Sequence, residues 1–329
     1  MKIVRQHAFG EPEVLVLEDL TLPPVGEGEL LLRTEAAAVT FFDIMNRRGQ
    51  LADREYYEQD ALLPLSPGYQ GAGYVEEVGS GVTDFAVGDR VAWAMADGAY
   101  ATHVIAPAAV VVPVPAGVDL GEAAGVLIQG LLAYKITHEA HPLEPGDWVM
   151  VQAAAGGVGS LITQYAKRRG ARVVGVVSSE AKVAVAKEAG ADEVVVAASD
   201  VDVAAEVRRI TGKGVVAVYD GAGKDTFEAN LDSLAPRGYL LVYGQASGFV
   251  PPFDLMRLND KGSLFVTRFC LPNYFDEWPP KEFLAELFEQ MRTGEIVVRI
   301  DSRYPLADAA GAHRAVESRE SAGRVLLVP

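Results

Sequence analysis

The chain has 329 residues, half of them hydrophobic, and a formal net charge of −16. That length predicts two domains, and that apolar fraction builds a large core and excludes a disordered chain. The acidic balance excludes a role on nucleic acid or as a polybasic membrane binder, and the single cysteine, Cys270, excludes an intrachain disulfide or a multi-cysteine metal site and suits a reducing cytoplasm. The start, Met1-Lys2-Ile3-Val4-Arg5-Gln6-His7, has no apolar signal segment, and no apolar run approaches the ~18–20 residues of a membrane span.

To about residue 116 the chain reads as short strands, at 30–33, 73–78, 90–93 and 110–112. Turn signals divide them: Pro23-Pro24, Pro67-Gly68, Gly79-Ser80-Gly81, Gly88-Asp89 and Asp97-Gly98. This pattern predicts a compact, largely β domain. Asp119 then caps a helix whose apolar face runs through Ala123, Val126, Leu127, Gly130, Leu131 and Tyr134, stopped by Pro142 and Pro145. Strands and helices alternate from there. Strands are expected at 148–152, 172–177, 193–196, 215–219 and 239–243, and helices at 158–169, 180–188, 203–211 and 226–234. Alternation of this kind implies an α/β fold with a doubly wound parallel sheet. The tail reads as strands at 264–267, 296–300 and 325–328 and helices at 281–293 and 308–318, part of it returning to the first domain.

The chemistry-bearing stretch is Trp148-Val149-Met150-Val151-Gln152-Ala153-Ala154-Ala155-Gly156-Gly157-Val158-Gly159. An apolar strand runs through small residues into a helix. In the register of a dinucleotide-binding turn, Ala154 replaces the first glycine, Gly156 lets backbone approach a pyrophosphate, and Gly159 lets helix pack close on strand. The helix N-terminus adds free N–H groups and partial positive charge. The next strand ends Val177-Ser178-Ser179 with no acid at its tip, and Lys182 follows. An acid there would bind the ribose 2′-hydroxyl of NAD; its absence beside a cation favours the 2′-phosphate of NADPH.

The whole pattern resembles the zinc-free quinone oxidoreductases (zeta-crystallin type) of the medium-chain dehydrogenase/reductase superfamily. The resemblance spans essentially the whole chain, through 10–15, Gly88-Asp89-Arg90-Val91, Gly98-Ala99-Tyr100, 153–159, Val218-Tyr219-Asp220-Gly221, 264–268 and Glu317-Ser318-Arg319. It implies a β-rich GroES-like catalytic domain over 1–120 and 270–329 and a Rossmann NADPH-binding domain over 121–269. It implies cofactor contacts at Ala155, Gly156, Gly157, Val158 and Gly159, at Ser178 and Lys182, at Gly244 and Arg268, and at Arg319. A strand late in the Rossmann domain, around Leu264-Phe265-Val266, would pair across a two-fold axis in a homodimer. Zinc-dependent relatives place Cys, His and Glu where Thr40, Tyr69 and Gln70 stand, and these three are poor zinc ligands, so no metal is expected. His138 and His141 flank a proline loop and read as structural.

The chain also departs from its resembling family. Thr40 stands for the usual Asn, Met45 for Tyr, Gln129 for Lys, and Ala197 lies near a usual Tyr. The pocket expected of Thr40, Phe41, Met45, Tyr69 and Gln129 is therefore larger and less polar, and Met45 and Phe41 are expected against the substrate. The reaction implied is hydride transfer from NADPH to a quinone. Reduction of an enone or enoyl thioester is the alternative, and a non-catalytic NADPH sensor or structural protein is the reading of another class. Thr40, Tyr69 and Gln129 are the candidate donors to a developing oxyanion, with Tyr69 preferred.

Overall fold

The computed structural model describes residues 1–51, 63–275 and 278–329. The chain divides into two units, Met1–Ile128 with Glu277–Pro329, and Gln129–Asp276.

The first unit begins with an antiparallel pair, β1 (Lys2–Arg5) and β2 (Val16–Asp19). There follow β3 (Glu29–Val39), α1 (Phe41–Arg47), β4 (Gln70–Val78), β5 (Arg90–Ala94), β6 (His103–Pro107), β7 (Val111–Pro113) and α2 (Leu120–Ala124). β3 is long because it serves several partners. It pairs antiparallel with β4 along most of its length and with β6 over Glu29–Arg33. Leu30 and Leu32 alternate inward and pack with Val75, Val91, Trp93 and Val104.

The second unit holds α3 (Leu127–Lys135), which begins just before it, β8 (Trp148–Gln152), α4 (Gly159–Arg168), β9 (Arg172–Val177) and α5 (Val183–Glu188). It continues through β10 (Glu193–Val196), α6 (Val203–Thr211), β11 (Val215–Asp220), α7 (Phe227–Ser233), β12 (Leu234–Val242), α8 (Met256–Asp260) and β13 (Phe265–Arg268). These strands form a parallel sheet in the order β10-β9-β8-β11-β12-β13. Its strands are rich in valine, as a sheet covered on both faces requires.

The tail adds α9 (Lys281–Arg292), β14 (Ile300–Pro305), α10 (Ala309–Glu317) and β15 (Arg324–Val328). β15 pairs antiparallel with the end of β3 and parallel with β14, so the tail completes the first unit's sheet. Val325 and Leu327 join Val4, Val39, Tyr100 and Leu306 in a second core cluster.

Several expected elements differ. The helix predicted from residue 119 is two helices. Asp119 caps α2 by accepting from Glu122 N–H, but Gly125 ends it, its N–H turned back to the Gly121 and Glu122 carbonyls. The divide between units falls after Ile128 and not at residue 120, because α2 packs on β3, β4 and β5 of the first unit. The predicted helix 180–188 opens as a tighter turn, Glu180–Lys182, before α5. The strand expected at 296–300 lies later. Ile296 and Val298 are buried without strand pairing, while alternation from Ile300 to Pro305 lays β14 along β15.

Candidate active site

In the parallel sheet, β8 lies between β9 and β11, so the chain leaves β8 to one side and returns on the other. The crevice beyond the carboxyl ends of β8 and β11 is where such sheets hold nucleotides. β8 ends at Gln152, and the turn at 153–158 leads straight into α4. Ala153 takes a left-handed backbone (φ 51°), and the Gly156 N–H donates to the Ala153 carbonyl at 2.8 Å. A Cβ on Gly159 would stand 2.3 Å from that carbonyl oxygen, and one on Gly156 would stand 3.1 Å from it. No side chain fits at Gly159 without moving the helix off the strand. Of the first-turn amides of α4, those of Ser160 and Ile162 close back on the Gly156 and Val158 carbonyls at 3.0 and 2.9 Å, and the helix end carries a partial positive charge. The Gly156 N–H is committed to closing the turn, so an anion at this turn would meet the other amides of 155–159.

β9 stops at Val177, Ser178 is exposed, and the chain turns through Glu180–Lys182 into α5. Lys182 is half-exposed at the head of that helix. The strand end itself carries the Ser178 hydroxyl and no carboxylate, and the turn beyond it carries exposed Glu180 and then Lys182. Gly244 follows β12, its N–H bonded to the Asp220 carbonyl at 3.3 Å. Arg268 braces this edge, donating to the Val242 and Phe269 carbonyls and to Gln245 Oε1 at 2.7 Å. Asp220, at the end of β11, is buried and accepts from Ala222 N–H, Gly223 N–H and the Thr226 hydroxyl. Burial pushes its carboxyl above the usual range. Beneath the turn, Gln152 Nε2 donates to Asn230 Oδ1 at 2.7 Å. Gln129, in α3, is 6 % exposed. His138 stacks on Tyr134 and His141 on Tyr239, both in aromatic packing.

In the first unit the predicted residues gather around α1. Thr40 caps this helix. Its hydroxyl donates to Asp43 Oδ2 at 2.6 Å, its N–H donates to the same oxygen at 2.7 Å, and its oxygen accepts from Asp43 N–H at 3.3 Å. The Thr40 proton is therefore held by Asp43. Phe41 opens the helix half-buried, and Met45 is 4 % exposed, inside the core more than the expected substrate lining. Its helix turns it inward with Ile44, as α1 buries every position from Asp43 to Arg47. Tyr69 immediately precedes β4 and meets the ring of Phe42 edge-on, with centroids 4.8 Å apart. Asn46 Nδ2 donates to its hydroxyl at 2.7 Å. Gly68 holds the preceding turn at φ 98°, and a Cβ there would strike the Tyr100 backbone nitrogen at 2.8 Å.

Behind α1 runs a buried polar chain. Arg47 donates to the Gly10 carbonyl, to His313 Nδ1 at 3.2 Å and to Glu317. An arginine has only protons to give, so His313 Nδ1 accepts and its Nε2–H donates to the Tyr100 hydroxyl at 3.2 Å. Burial, then the Arg47 charge, lowers the His313 imidazole to about 3. Burial raises the Asp43 carboxyl to about 6, against the pull of its Thr40 bonds. Asn46, Asp43 and Arg47 escaped the sequence reading. The Thr-x-x-Asp capping pattern and the i, i+4 spacing of 42/46 and 43/47 were visible, but their partners lie far along the chain.

Thr40, Tyr69 and Gln70 do not fit a zinc ion. They are neutral oxygen or amide groups, and the two hydroxyls are engaged by Asp43 and Asn46. Among the described residues no group of three His, Cys, Asp or Glu could hold a metal ion, and no helix is long and apolar enough to cross a membrane. Arg319 follows α10 in the first unit, exposed, with a left-handed backbone (φ 58°).

Comparison with known proteins supplies the family. Residues 26–116 match the alcohol dehydrogenase GroES-like domain, and residues 157–286 match the family described as zinc-binding dehydrogenase. The chain is 40 % identical over 332 residues to a quinone oxidoreductase of Pseudomonas aeruginosa, covering 100 % of this chain and 99 % of that one. It is 36 % identical to a 2-haloacrylate reductase of a Burkholderia species, over 98 % and 97 % of the two chains. The crystal structure of Escherichia coli quinone oxidoreductase complexed with NADPH superposes with a TM-score of 0.93 at 35 % identity, covering 100 % of both. With that likeness running from end to end, the chain belongs to the quinone oxidoreductase (zeta-crystallin-like) family of the medium-chain dehydrogenase/reductase superfamily.

Proposed function

We propose that this protein is an NADPH-dependent reductase of quinones, working without zinc. The observation that carries the cofactor choice is the tip of β9, where Ser178 stands at the strand end in place of an acid and Lys182, two residues past Glu180, heads the next helix. The E. coli relative's complex with NADPH supports it. When bound, NADPH supplies a hydride to an electron-poor conjugated acceptor. The chain's own work is to hold and to polarise. Backbone N–H groups of Ala155, Gly157, Val158 and Gly159 grip the pyrophosphate, which the bare Gly156 lets approach, Lys182 meets the 2′-phosphate, Arg319 is a further cofactor-binding cation, and Gly244, packed on the Gly221 backbone with its loop braced by Arg268, lies toward the nicotinamide end. Tyr69 donates a hydrogen bond to the acceptor oxygen as charge develops there. Thr40 is the weaker donor, because its proton is committed to Asp43. Gln129 is assigned to the acceptor side as a neutral polar group.

A conjugated acid or enone is the second substrate reading, favoured by the likeness to a 2-haloacrylate reductase and by a donor suited to an enolate oxygen. Steady-state NADPH oxidation with a naphthoquinone, a 2-alkenone and an enoyl thioester decides among them. Turnover with the quinone is expected, and NADPH binding without turnover of any acceptor would sink the enzymatic reading.

The assembly proposed is a cytoplasmic homodimer. β13 is the outer strand of the parallel sheet, and Phe265 on it is 48 % exposed. An apolar edge strand is a ready partner for its own copy. A monomer by light scattering at micromolar concentration would overturn this.

A further inference from the structure

Two pairs of residues, each one helical turn apart, divide the work of α1. Asp43 and Arg47 lock the helix in place. Asp43 takes two bonds from Thr40, and Arg47 ties to Gly10, His313 and Glu317. Phe42 and Asn46 form the other pair, and both touch Tyr69. The Phe42 ring meets the tyrosine ring edge-on at 73°, and the Asn46 amide reaches its oxygen. Asn46 is 2 % exposed, so its amide is fixed by packing and has lost its water.

We propose that Asn46 is a positioning residue for acceptor reduction: its N–H, donated to the Tyr69 oxygen, turns the phenol so that its own proton is what the acceptor oxygen meets. The proposal rests on the reading of Tyr69 as the oxyanion donor. A phenol that accepts from an N–H is polarised toward donating its own hydrogen, as linked hydrogen bonds strengthen one another. A donor already oriented needs no reorganisation when charge develops. Phe42 holds the ring plane and Asn46 holds the hydroxyl, so one face of a short, doubly anchored helix sets both. If the polarity ran the other way, with the phenol donating to the Asn46 carbonyl, Asn46 would compete with the acceptor for that proton.

The test is Asn46→Leu, with Asn46→Asp as an isosteric second variant lacking the N–H, each made alone and with Tyr69→Phe. Ligand-free protein labelled with [13C]tyrosine gives a first readout. The Cζ resonance that disappears in Tyr69→Phe should shift in both Asn46 variants. With saturating NADPH and a 2-alkenone, kcat should fall about 5–50-fold in each Asn46 variant, with KM nearly unchanged. In the Tyr69→Phe background the same Asn46 changes should cost less than about twofold, because the group they act through is gone. An unchanged or higher kcat in Asn46→Leu, or an equal loss in both backgrounds, overturns the proposal while Tyr69 stands as donor. A Tyr69→Phe variant with undiminished turnover overturns both. If Asn46→Leu fails to fold, Asn46→Asp alone carries the same outcomes.

Discussion

The two halves of the chemistry are built from different materials. The cofactor cradle proposed in the second unit is made of backbone: a turn closed by the Gly156 N–H on the Ala153 carbonyl, a helix end, and a strand end without an acid. The acceptor side proposed in the first unit is made of side chains, with Tyr69, Phe42 and Asn46 meeting across 23 residues or more of sequence. A backbone site tolerates sequence drift wherever the turn keeps its shape, so Ala154 replaces a glycine without loss of register. A side-chain site changes chemistry with each substitution.

The sharpest test of this contrast is to put a side chain into the backbone site. Gly159→Val should abolish measurable NADPH binding, since even a Cβ would stand 2.3 Å from the Ala153 oxygen. Fluorescence titration checks the loss, and circular dichroism checks that the fold survives. Retained binding would mean the helix can move off the strand and the cradle is not as built.

On the other side, one oxygen atom should matter. Tyr69→Phe should reduce 2-alkenone turnover by about 10–1000-fold with little change in NADPH affinity. If turnover holds, Tyr69 is packing for Phe42 and the donor is elsewhere. A middle effect belongs to Lys182. Lys182→Ala should weaken NADPH about tenfold and leave NADH nearly untouched, as expected for a charge-assisted contact to a phosphate. Equal losses for both cofactors would mean that Lys182 does not read the 2′-phosphate.

The subtlest test reads the polar interior behind α1. Asp43 is raised to about 6 in the fold, so between its ordinary value of 3.8 and 6 the folded chain holds a proton that the unfolded chain has lost. That contribution to stability is present below 3.8 and is lost as pH rises through 6. His313 is lowered to about 3 from 6.5, so its contribution is present above 6.5 and is lost as pH falls through 3. Across pH 4–6 the two slopes oppose each other at about 1.4 kcal/mol per pH unit each. Asp43→Asn should therefore steepen the acid-side loss of stability by about that slope relative to the parent, measured by urea denaturation from pH 4 to 6. Parallel pH profiles for parent and variant would mean that Asp43 is ionised in the fold.

Local pattern was enough for much of this protein. Alternating valine strands and helices with turn glycines implied the parallel sheet, because each element's periodicity is set by its own backbone geometry. The turn into α4 and the acid-free end of β9 were legible for the same reason: strand, turn and helix start are contiguous in sequence. The capping role of Thr40 was open to the same reading through Asp43 three residues on. Only tertiary structure decided the rest. The run from Ile296 to Val298 is apolar enough for a strand but packs without pairing, and the strand begins at Ile300 because that is where β15 offers its edge. Met45 reads as a pocket residue by resemblance to its family, yet it is buried in helix α1. Asn46 carries no signal of its own. Its partner Tyr69 lies beyond the helix and a long connection, and which hydroxyl a buried amide meets is settled only when β4 and α1 are packed together.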